Sequence, residues 1–429
     1  MNIVMLTNTY LPHVGGVARS VEAFARHYRQ LGHQVLIVAP VFEGQPEHED
    51  HVVRIPAIQH FNGSDFSVVL PVSGLLTERL DALRPDIVHA HHPFLLGMTA
   101  LRIAGYRELP LVFTHHTLYE QYTHYVPGDS PALKRFVIEL ATRYANLADQ
   151  VFAPSESIAD LIGKRGVTSP ITVVPTGVEI DQFVKGDGRK LRQRFGIADG
   201  DLVVGHLGRL APEKNLAFLG HAVARFLQSN ERASFLVVGN GPSAAEIRSL
   251  FESAGLGDRL HMTGSLQGQA LIDAYHAMDI FAFASKSETQ GMVLTEAMAA
   301  GLPVVALDAS GAREVVRDEI NGRLLGEETV ETFASALDRI AARTTAESKT
   351  LREEVRKTAD AFSMTSSALK AIDVYQALCC RAAVSKAEPD TEWEKLLHLI
   401  EAEWEIVKSM ADAVGAGLDI GGSGEEPLQ

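Results

Sequence analysis

The sequence predicts an α/β protein of two doubly wound parallel-sheet domains that face each other across a cleft. The main observation is a repeated alternation of short, continuous apolar strands with helical patterns, which is typical of parallel sheets covered by helices on both faces. One series of strands lies at residues 3–7, 35–39, 85–90, 111–114, 150–154 and 171–175, and a second at 202–207, 234–239, 260–263, 280–284 and 303–307. The length of 429 residues suits two domains.

The two series of strands place the domain boundaries. The first domain covers residues 1–175 and the second 176–363, with a hinge around 176–200. An apolar-periodic helix at 364–380 closes the second domain. Beyond it, residues 386–429 form an acidic amphipathic helix over 391–414 and a tail. Both tryptophans, Trp393 and Trp404, lie in the apolar stripe of that helix, so it is expected to pack on the protein or to support a homo-oligomer.

Charge and composition exclude several classes of protein. The net charge of −15 argues against a nucleic-acid partner, and residues 386–429 contribute 11 acidic residues against 3 lysines. The N-terminus flows directly into a strand pattern, and no apolar run reaches the roughly 18–20 residues that span a bilayer. The two cysteines, Cys379 and Cys380, are adjacent and suggest no structural disulfide. A cytoplasmic protein is therefore expected.

Two acids and two cations at the ends of predicted strands carry the chemistry. Glu288 lies in a strand-to-helix loop and Glu296 on the helix that follows, while Arg209 and Lys214 follow the first strand of the second domain. Carboxylates bind hydroxyl groups, and fixed cations neutralise phosphates. A polyhydroxylated diphosphate is the ligand class that suits this set. The glycine turn at 239–241 is a weak signal alone, because glycines also serve tight turns.

These motifs, together with the Gly15-Gly16 loop, resemble the family-four retaining glycosyltransferases of GT-B fold over residues 1 to about 380. The resemblance implies that Arg209 and Lys214 bind the donor diphosphate, Glu296 the ribose and Glu288 the sugar. It also implies that segment 364–385 crosses back to the first domain. Further donor-binding positions implied by the resemblance are Gly15, Gly16, Gly239, Asn240, Gly241, Leu266, Thr289, Gln290, Gly291, Met292 and Val293.

Histidines cluster after two strands of the first domain. The family places a His-Thr step at the end of a strand, with the histidine contacting the sugar, so His116 is the candidate and His115 the runner-up. Its expected task is positioning and charge stabilisation. Neighbouring histidines on a strand point to opposite faces, so a metal site at His89, His91 and His92 is not expected. The nucleotide sugar is a co-substrate, and no other cofactor or metal is predicted.

The resemblance implies metal-independent hexosyl transfer with retention, in which the leaving phosphate oxygen accepts the proton of the acceptor. UDP-glucose is the predicted donor, and GDP-mannose is the open rival. Segment 118–125 and the Glu288-Thr-Gln-Gly step resemble the branch that glucosylates diacylglycerol. A partly basic helix at 131–147 fits a peripheral position at the inner face of a membrane, or packs as an ordinary core helix. A soluble sugar or small-alcohol acceptor, an epimerase and a non-catalytic nucleotide-sugar-binding protein are the alternatives.

Overall fold

The structure is a computed structural model that describes residues 1–13, 15–58, 68–69, 74–121 and 130–385. Two compact units make up the chain. One comprises Met1–Val174 together with the described chain from Ala368 to Ser385, and the other comprises Pro175–Ser367. The helix predicted at 391–414 and the acidic tail lie outside the described residues.

The first unit contains a seven-stranded parallel sheet with the order β3-β2-β1-β6-β7-β8-β9. Continuous burial along the strands explains why they read as apolar runs, since Ile3 to Leu6 have no exposed surface. The strands of the sheet are β1 (Asn2–Leu6), β2 (Gln34–Pro40), β3 (Val52–Ile55), β6 (Ile87–Ala90), β7 (Leu111–Thr114), β8 (Gln150–Ala153) and β9 (Ile171–Val173), and β4 (Ala57–Ile58) and β5 (Val68–Val69) form a separate antiparallel pair. The helices are α1 (Gly16–Gln30), α2 (Gly74–Leu83), α3 (Leu96–Arg107), α4 (Pro131–Asn146) and α5 (Glu156–Lys164).

The second unit contains a six-stranded parallel sheet with the order β12-β11-β10-β13-β14-β15. Its strands are β10 (Leu202–Leu207), β11 (Ala233–Val238), β12 (Leu260–Met262), β13 (Ile280–Phe283), β14 (Val304–Leu307) and β15 (Gly322–Leu325). Its helices are α6 (Ile180–Phe183), α7 (Arg189–Arg194), α8 (Leu216–Ser229), α9 (Ala244–Ser253), α10 (Gly268–His276), α11 (Met292–Ala299), α12 (Val330–Ala341) and α13 (Thr345–Ala361). Two parallel-sheet α/β domains are therefore present, as predicted.

Helix α14 (Met364–Ser385) ends the described chain. Met364 donates its backbone N–H to Val178 of the second unit, at 3.0 Å. Tyr375, three turns later, is completely buried in the first unit, where its hydroxyl contacts His89 and Tyr28. Within the described part of the chain, no helix combines the length and apolar character needed to cross a bilayer.

Candidate functional site

The site in the second unit forms where the strand order of its sheet reverses. Strand β10 has β11 on one side and β13 on the other, and crevices at such reversals bind ligands. Lys214 follows β10 and Glu288 follows β13. Lys214 Nζ lies 2.6 Å from Glu288 Oε1, and the two side chains are 13% and 22% exposed. The structure therefore joins one predicted cation to one predicted carboxylate across the reversal point.

Arg209 occupies the same loop but is more exposed. It forms an ion pair with Glu213, and its side chain is 45% exposed against 16% for the glutamate. Lys214 is the last residue of a short helical turn, Pro212–Lys214, that follows Arg209. The Ser287 hydroxyl donates to the Glu213 carbonyl in this turn, at 3.1 Å. This hydrogen bond ties the loop after β10 to the loop after β13. The guanidinium of Arg209 lies at the surface of that loop pair.

Glu296 is buried in the second turn of α11 and is only 2% exposed. Its Oε2 accepts a 2.8 Å hydrogen bond from the hydroxyl of Tyr275 on α10. A buried carboxylate needs such a donor, because desolvation without one is costly. Tyr275 was not singled out in the sequence, where it reads as a core position of an amphipathic helix.

The loop between Glu288 and α11 is held by backbone contacts. Gln290 is 5% exposed; its Oε1 accepts the Thr176 N–H at 2.7 Å, and its Nε2 donates to the Thr176 carbonyl. Gly291 has φ +69° and precedes α11, where no side chain caps the first turn. No side chain therefore occupies the N-terminus of α11, a position that suits an anion or a hydroxyl. Thr289, Met292 and Val293 are half-buried in the same segment.

Gly311 is a site residue that the sequence reading missed. It has φ +79°, and a Cβ at this position would lie 2.8 Å from the Cβ of Glu288 and 3.1 Å from the Gly291 nitrogen. The backbone after β14 therefore packs directly beneath the Glu288–Gly291 loop. The signal available in the sequence was the Ser310-Gly311 step just after a predicted strand, which is too common to single out alone.

The glycines after β10 and β11 allow two loops to meet. A Cβ on Gly239 would lie 1.9 Å from the Gly208 carbonyl oxygen, and one on Gly241 would lie 2.2 Å from that of Leu210. Leu210 donates its N–H to the Asn240 carbonyl at 2.9 Å. Close approach accounts for these glycines structurally. Asn240 is exposed beside this junction, and Leu266 packs partly buried against the core.

His206 is a second residue that the sequence reading missed. It lies near the end of β10, is 2% exposed, and shares a hydrogen bond of 3.1 Å between its Nδ1 and the Ala282 carbonyl. Its Nε2 has no hydrogen-bond partner among the described residues. Burial lowers the pKa of His206 to about 4; Lys214 lowers it further, while the hydrogen bond to Ala282 and the charge of Glu288 raise it by smaller amounts. His206 is the one polar residue in the apolar run 202–207, and this was the signal in the sequence that could have identified it.

In the first unit, the strand order reverses at β1, which has β2 on one side and β6 on the other. Gly15 and Gly16 follow β1 and begin α1, which has no side-chain cap and no acidic residue in its first turn. A Cβ on Gly16 would meet no atom within 4 Å, so open space surrounds it. An uncapped helix N-terminus attracts anions.

Histidines follow β6 and β7 in the same unit. His91 Nδ1 lies 2.9 Å from His116 Nε2, and the two rings stack with centroids 5.2 Å apart. Burial lowers the pKa of both histidines well below the usual value. Burial also lowers the pKa of His115 to about 4, and its Nδ1 has no partner in the described structure. Within the described residues no group of three His, Cys, Asp or Glu side chains has an arrangement that could hold a metal ion.

Comparison with known proteins adds the family. The model described as Glycosyltransferase Family 4 matches residues 14–182, and that described as Glycosyl transferases group 1 matches residues 187–359. The alpha-monoglucosyldiacylglycerol synthase of Streptococcus pneumoniae is 30% identical over 330 residues, which cover 76% of this chain and 75% of the relative. The GDP-mannose-dependent alpha-mannosyltransferase of Mycobacterium tuberculosis is 30% identical over 341 residues, 76% of this chain and 84% of the relative.

A solved structure shows the same fold. HepE from Anabaena, in complex with UDP and glucose, superposes with a TM-score of 0.68 at 23% identity, over 88% of this chain and 99% of that one. The two parallel-sheet domains and the two matching family models identify the chain as a glycosyltransferase of GT-B fold, an enzyme that acts on a sugar donor. Within that class, the chain belongs to glycosyltransferase family 4, and its relatives include glycolipid-forming members.

Proposed function

We propose that the protein transfers a hexosyl group, with retention, from a nucleoside diphosphate sugar to the hydroxyl of a lipid acceptor. The observation that carries the proposal is the Lys214–Glu288 pair at the strand reversal of the second unit. Each partner neutralises the other before a donor binds. A sugar diphosphate can replace both halves of that contact at once, because its phosphates take the ammonium and its hydroxyls take the carboxylate.

The proposed chemistry follows from these charges. The bond between the anomeric carbon and the diphosphate oxygen breaks while the acceptor oxygen bonds to that carbon. The leaving phosphate oxygen takes the acceptor proton, so neither Glu288 nor Glu296 acts as a nucleophile. Lys214 and Arg209 stabilise the charge that develops on the diphosphate, which fixed cations do without a metal. Glu296, held by Tyr275, is the proposed ribose contact, and His116 is the proposed sugar contact.

UDP-glucose is the donor we propose. The support is that HepE has been solved with UDP and glucose, and that relatives at 30% and 28% identity are named alpha-monoglucosyldiacylglycerol synthases. GDP-mannose is the second candidate, because mannosyltransferases named for GDP-mannose are equally similar in identity. The Lys214–Glu288 pair would contact the phosphates and the sugar, so it does not discriminate between uracil and guanine.

Diacylglycerol is the acceptor we propose, delivered from a membrane surface. The name of the Streptococcus pneumoniae relative supports the lipid, and helix α4 supports the surface. Lys134 and Arg135 on α4 are exposed, and Leu133, Phe136 and Val137 beside them are only half-buried. The C-terminal half of the helix is buried, at Ala141, Thr142, Tyr144 and Ala145. Basic and apolar side chains together suit an anionic lipid interface.

A product assay tests the proposal. The full chain is incubated with UDP-glucose or GDP-mannose, and with either diacylglycerol in anionic vesicles or a water-soluble alcohol. Mass spectrometry is expected to show glucosyldiacylglycerol, and the anomeric proton coupling is expected to show the α configuration of the donor. Addition of a chelator is expected to leave turnover unchanged.

Other products would contradict specific parts of this proposal. A β product would contradict retention, and transfer only to the soluble alcohol would contradict the lipid acceptor. An isomerised nucleotide sugar without acceptor would indicate an epimerase. Donor binding in a thermal-shift screen without any product would indicate a binding protein; a ligand at about one hundred times its dissociation constant stabilises by about 2.7 kcal/mol.

A further inference from the structure

A stack of buried imidazoles lies beneath His116 in the first unit. His91, just after β6, is 1% exposed and contacts His116 on one side through the 2.9 Å approach of Nδ1 to Nε2. On the other side, its ring lies 4.1 Å from that of His89, with an angle of 39° between the planes. His91 is therefore held between two imidazoles, and only one of them was predicted to contact the sugar.

His89, at the other end of this stack from His116, is held in place by hydrogen bonds at both ring nitrogens. Its Nδ1 lies 2.6 Å from the hydroxyl of Tyr375 on α14, and its Nε2 lies 2.7 Å from the hydroxyl of Thr114 at the end of β7. Tyr375 also contacts the hydroxyl of Tyr28 on α1, at 3.3 Å. Both ring nitrogens of His89 are thus engaged, so this imidazole cannot rotate without breaking two contacts. A fixed neighbour restricts the ring of His91 in turn.

The second nitrogen of His91 decides the direction of the hydrogen bond to His116. His91 Nε2 is buried and has no partner among the described residues. A buried N–H without an acceptor is the rarer and more costly defect, so the proton of a neutral His91 belongs on Nδ1. Burial and the neighbouring imidazoles lower the pKa of His91 and of His116, which keeps both rings neutral at pH 7.

We propose that His91 is a positioning residue for His116. It donates from Nδ1 to His116 Nε2, and it thereby fixes His116 as the neutral tautomer that carries its proton on Nδ1. The consequence for catalysis rests on the proposed function, in which His116 contacts the sugar. In this tautomer Nδ1 of His116 carries the proton, so the Nδ1 edge is a hydrogen-bond donor and not a base.

Nitrogen NMR of the histidine side chains tests the assignment directly. In the full chain labelled with ¹⁵N-histidine, the His116 signals are identified by their loss in His116→Asn. The wild-type spectrum at pH 7 is expected to show one neutral His116 tautomer, protonated at Nδ1. His91→Phe keeps a buried ring but removes the donor, so a mixture of His116 tautomers is expected.

Kinetics supply the second readout. His91→Phe is expected to lower kcat by roughly 10-fold to 100-fold, a size typical of misplaced catalytic contacts, and to leave KM for the donor nearly unchanged. His91→Asn is expected to recover part of the loss, because its side-chain amide can still donate to His116. His27→Asn is the matched control, since this first-unit histidine shares its hydrogen bond with the Ala23 carbonyl of its own helix α1, at 3.1 Å. It should leave the His116 tautomer unchanged.

Two results would overturn the proposal: a wild-type His116 protonated at Nε2, or an unchanged His116 tautomer in His91→Phe. If His91→Phe does not fold, the wild-type spectrum decides the question, because His116 protonated at Nε2 would contradict the proposal. The NMR readout needs no turnover. Absence of transfer with every donor would therefore contradict the proposed function and would leave the tautomer assignment to be judged separately.

Discussion

At the scale of single residues, the site of the second unit depends on opposite charges held close together. Lys214 and Glu288 are 74 positions apart in sequence and meet at 2.6 Å. The two side chains are only 13% and 22% exposed, and the cost of removing them from water offsets much of their attraction, so the pair itself adds little to stability. Its value lies in what it offers a ligand, which is a fixed cation beside a fixed carboxylate.

Replacing Lys214 should therefore affect turnover far more than folding. Lys214→Met is expected to lower kcat/KM by roughly 10²–10³, because one charge-stabilising donor to the leaving diphosphate is lost. Arg209→Ala is expected to behave similarly. Lys190→Met is the matched control, because this lysine is exposed on α7 and belongs to no predicted site. Initial rates and thermal midpoints check the prediction, and near-normal rates in Lys214→Met would contradict the donor-site assignment.

Gly311 and Gly301 form a matched pair with which to test the loop contact. Both have positive φ, +79° and +84°, so alanine at either should cost about 1–2 kcal/mol of stability. Only at Gly311 would the new Cβ press on Glu288; at Gly301 it would meet no atom within 4 Å. Gly311→Ala is expected to raise the donor KM, while Gly301→Ala should not. Equal kinetic effects in the two variants would show that backbone strain, and not the Glu288 contact, matters.

At the scale of elements, helix α4 has two different halves. Its first turns carry exposed cations beside half-buried apolar side chains, while its last turns are buried. The helix is therefore anchored by its C-terminal end, and its N-terminal end presents a mixed surface. The interpretation as a core-facing helix fits the C-terminal half of α4, and the interpretation as a membrane-surface helix fits its N-terminal half.

Neutralising the cations of α4 should weaken membrane binding. Each basic side chain near an anionic surface contributes about 1 kcal/mol, so the double variant Lys134→Gln with Arg135→Gln should bind anionic vesicles roughly 30-fold more weakly. Sedimentation with vesicles of anionic and of neutral lipid measures this at low salt. Lys349→Gln with Arg352→Gln, on the exposed side of α13, removes the same charge elsewhere. Equal loss in both double variants would contradict a specific role for α4.

At the scale of the whole molecule, buried histidines set the response to acid. Burial lowers the pKa of His89 and His92 to about 3, and of His115 and His206 to about 4, from 6.5. The unfolded chain takes up these protons near pH 6.5, and the folded chain does so only near 3–4. Between those values the unfolded state binds more protons, so the free energy of unfolding falls as the pH is lowered.

Acid should therefore destabilise the first unit more than the second, since three of these four histidines belong to it. Urea unfolding at pH 7 and pH 5, followed separately for each transition, measures the difference. His92→Asn should reduce the pH dependence of the first unit, because one titrating imidazole is removed. A pH-independent midpoint for that unit over this range would contradict the prediction.

Much of the fold was predictable because a strand buried on both faces of a parallel sheet is a short run of consecutive apolar residues in the sequence. Strands such as β1 and β13 read as short apolar runs, and the structure places them at the centre of their sheets. The edge strands β3 and β15 did not stand out, since Arg54 and Arg323 interrupt their apolar pattern. An edge strand has only one neighbour and tolerates such residues, so its local signal is weaker.

The sequence by itself determined the two parallel-sheet domains and the strand-end loops that carry Lys214, Glu288 and His116. Only the tertiary structure decided which of these side chains meet. Strand order brings the loops after β10 and β13 together, and it brings His91 after β6 against His116 after β7. The physical reason is that apolar periodicity is a property of a few neighbouring residues. The pairing of strands depends on contacts between segments far apart in the chain.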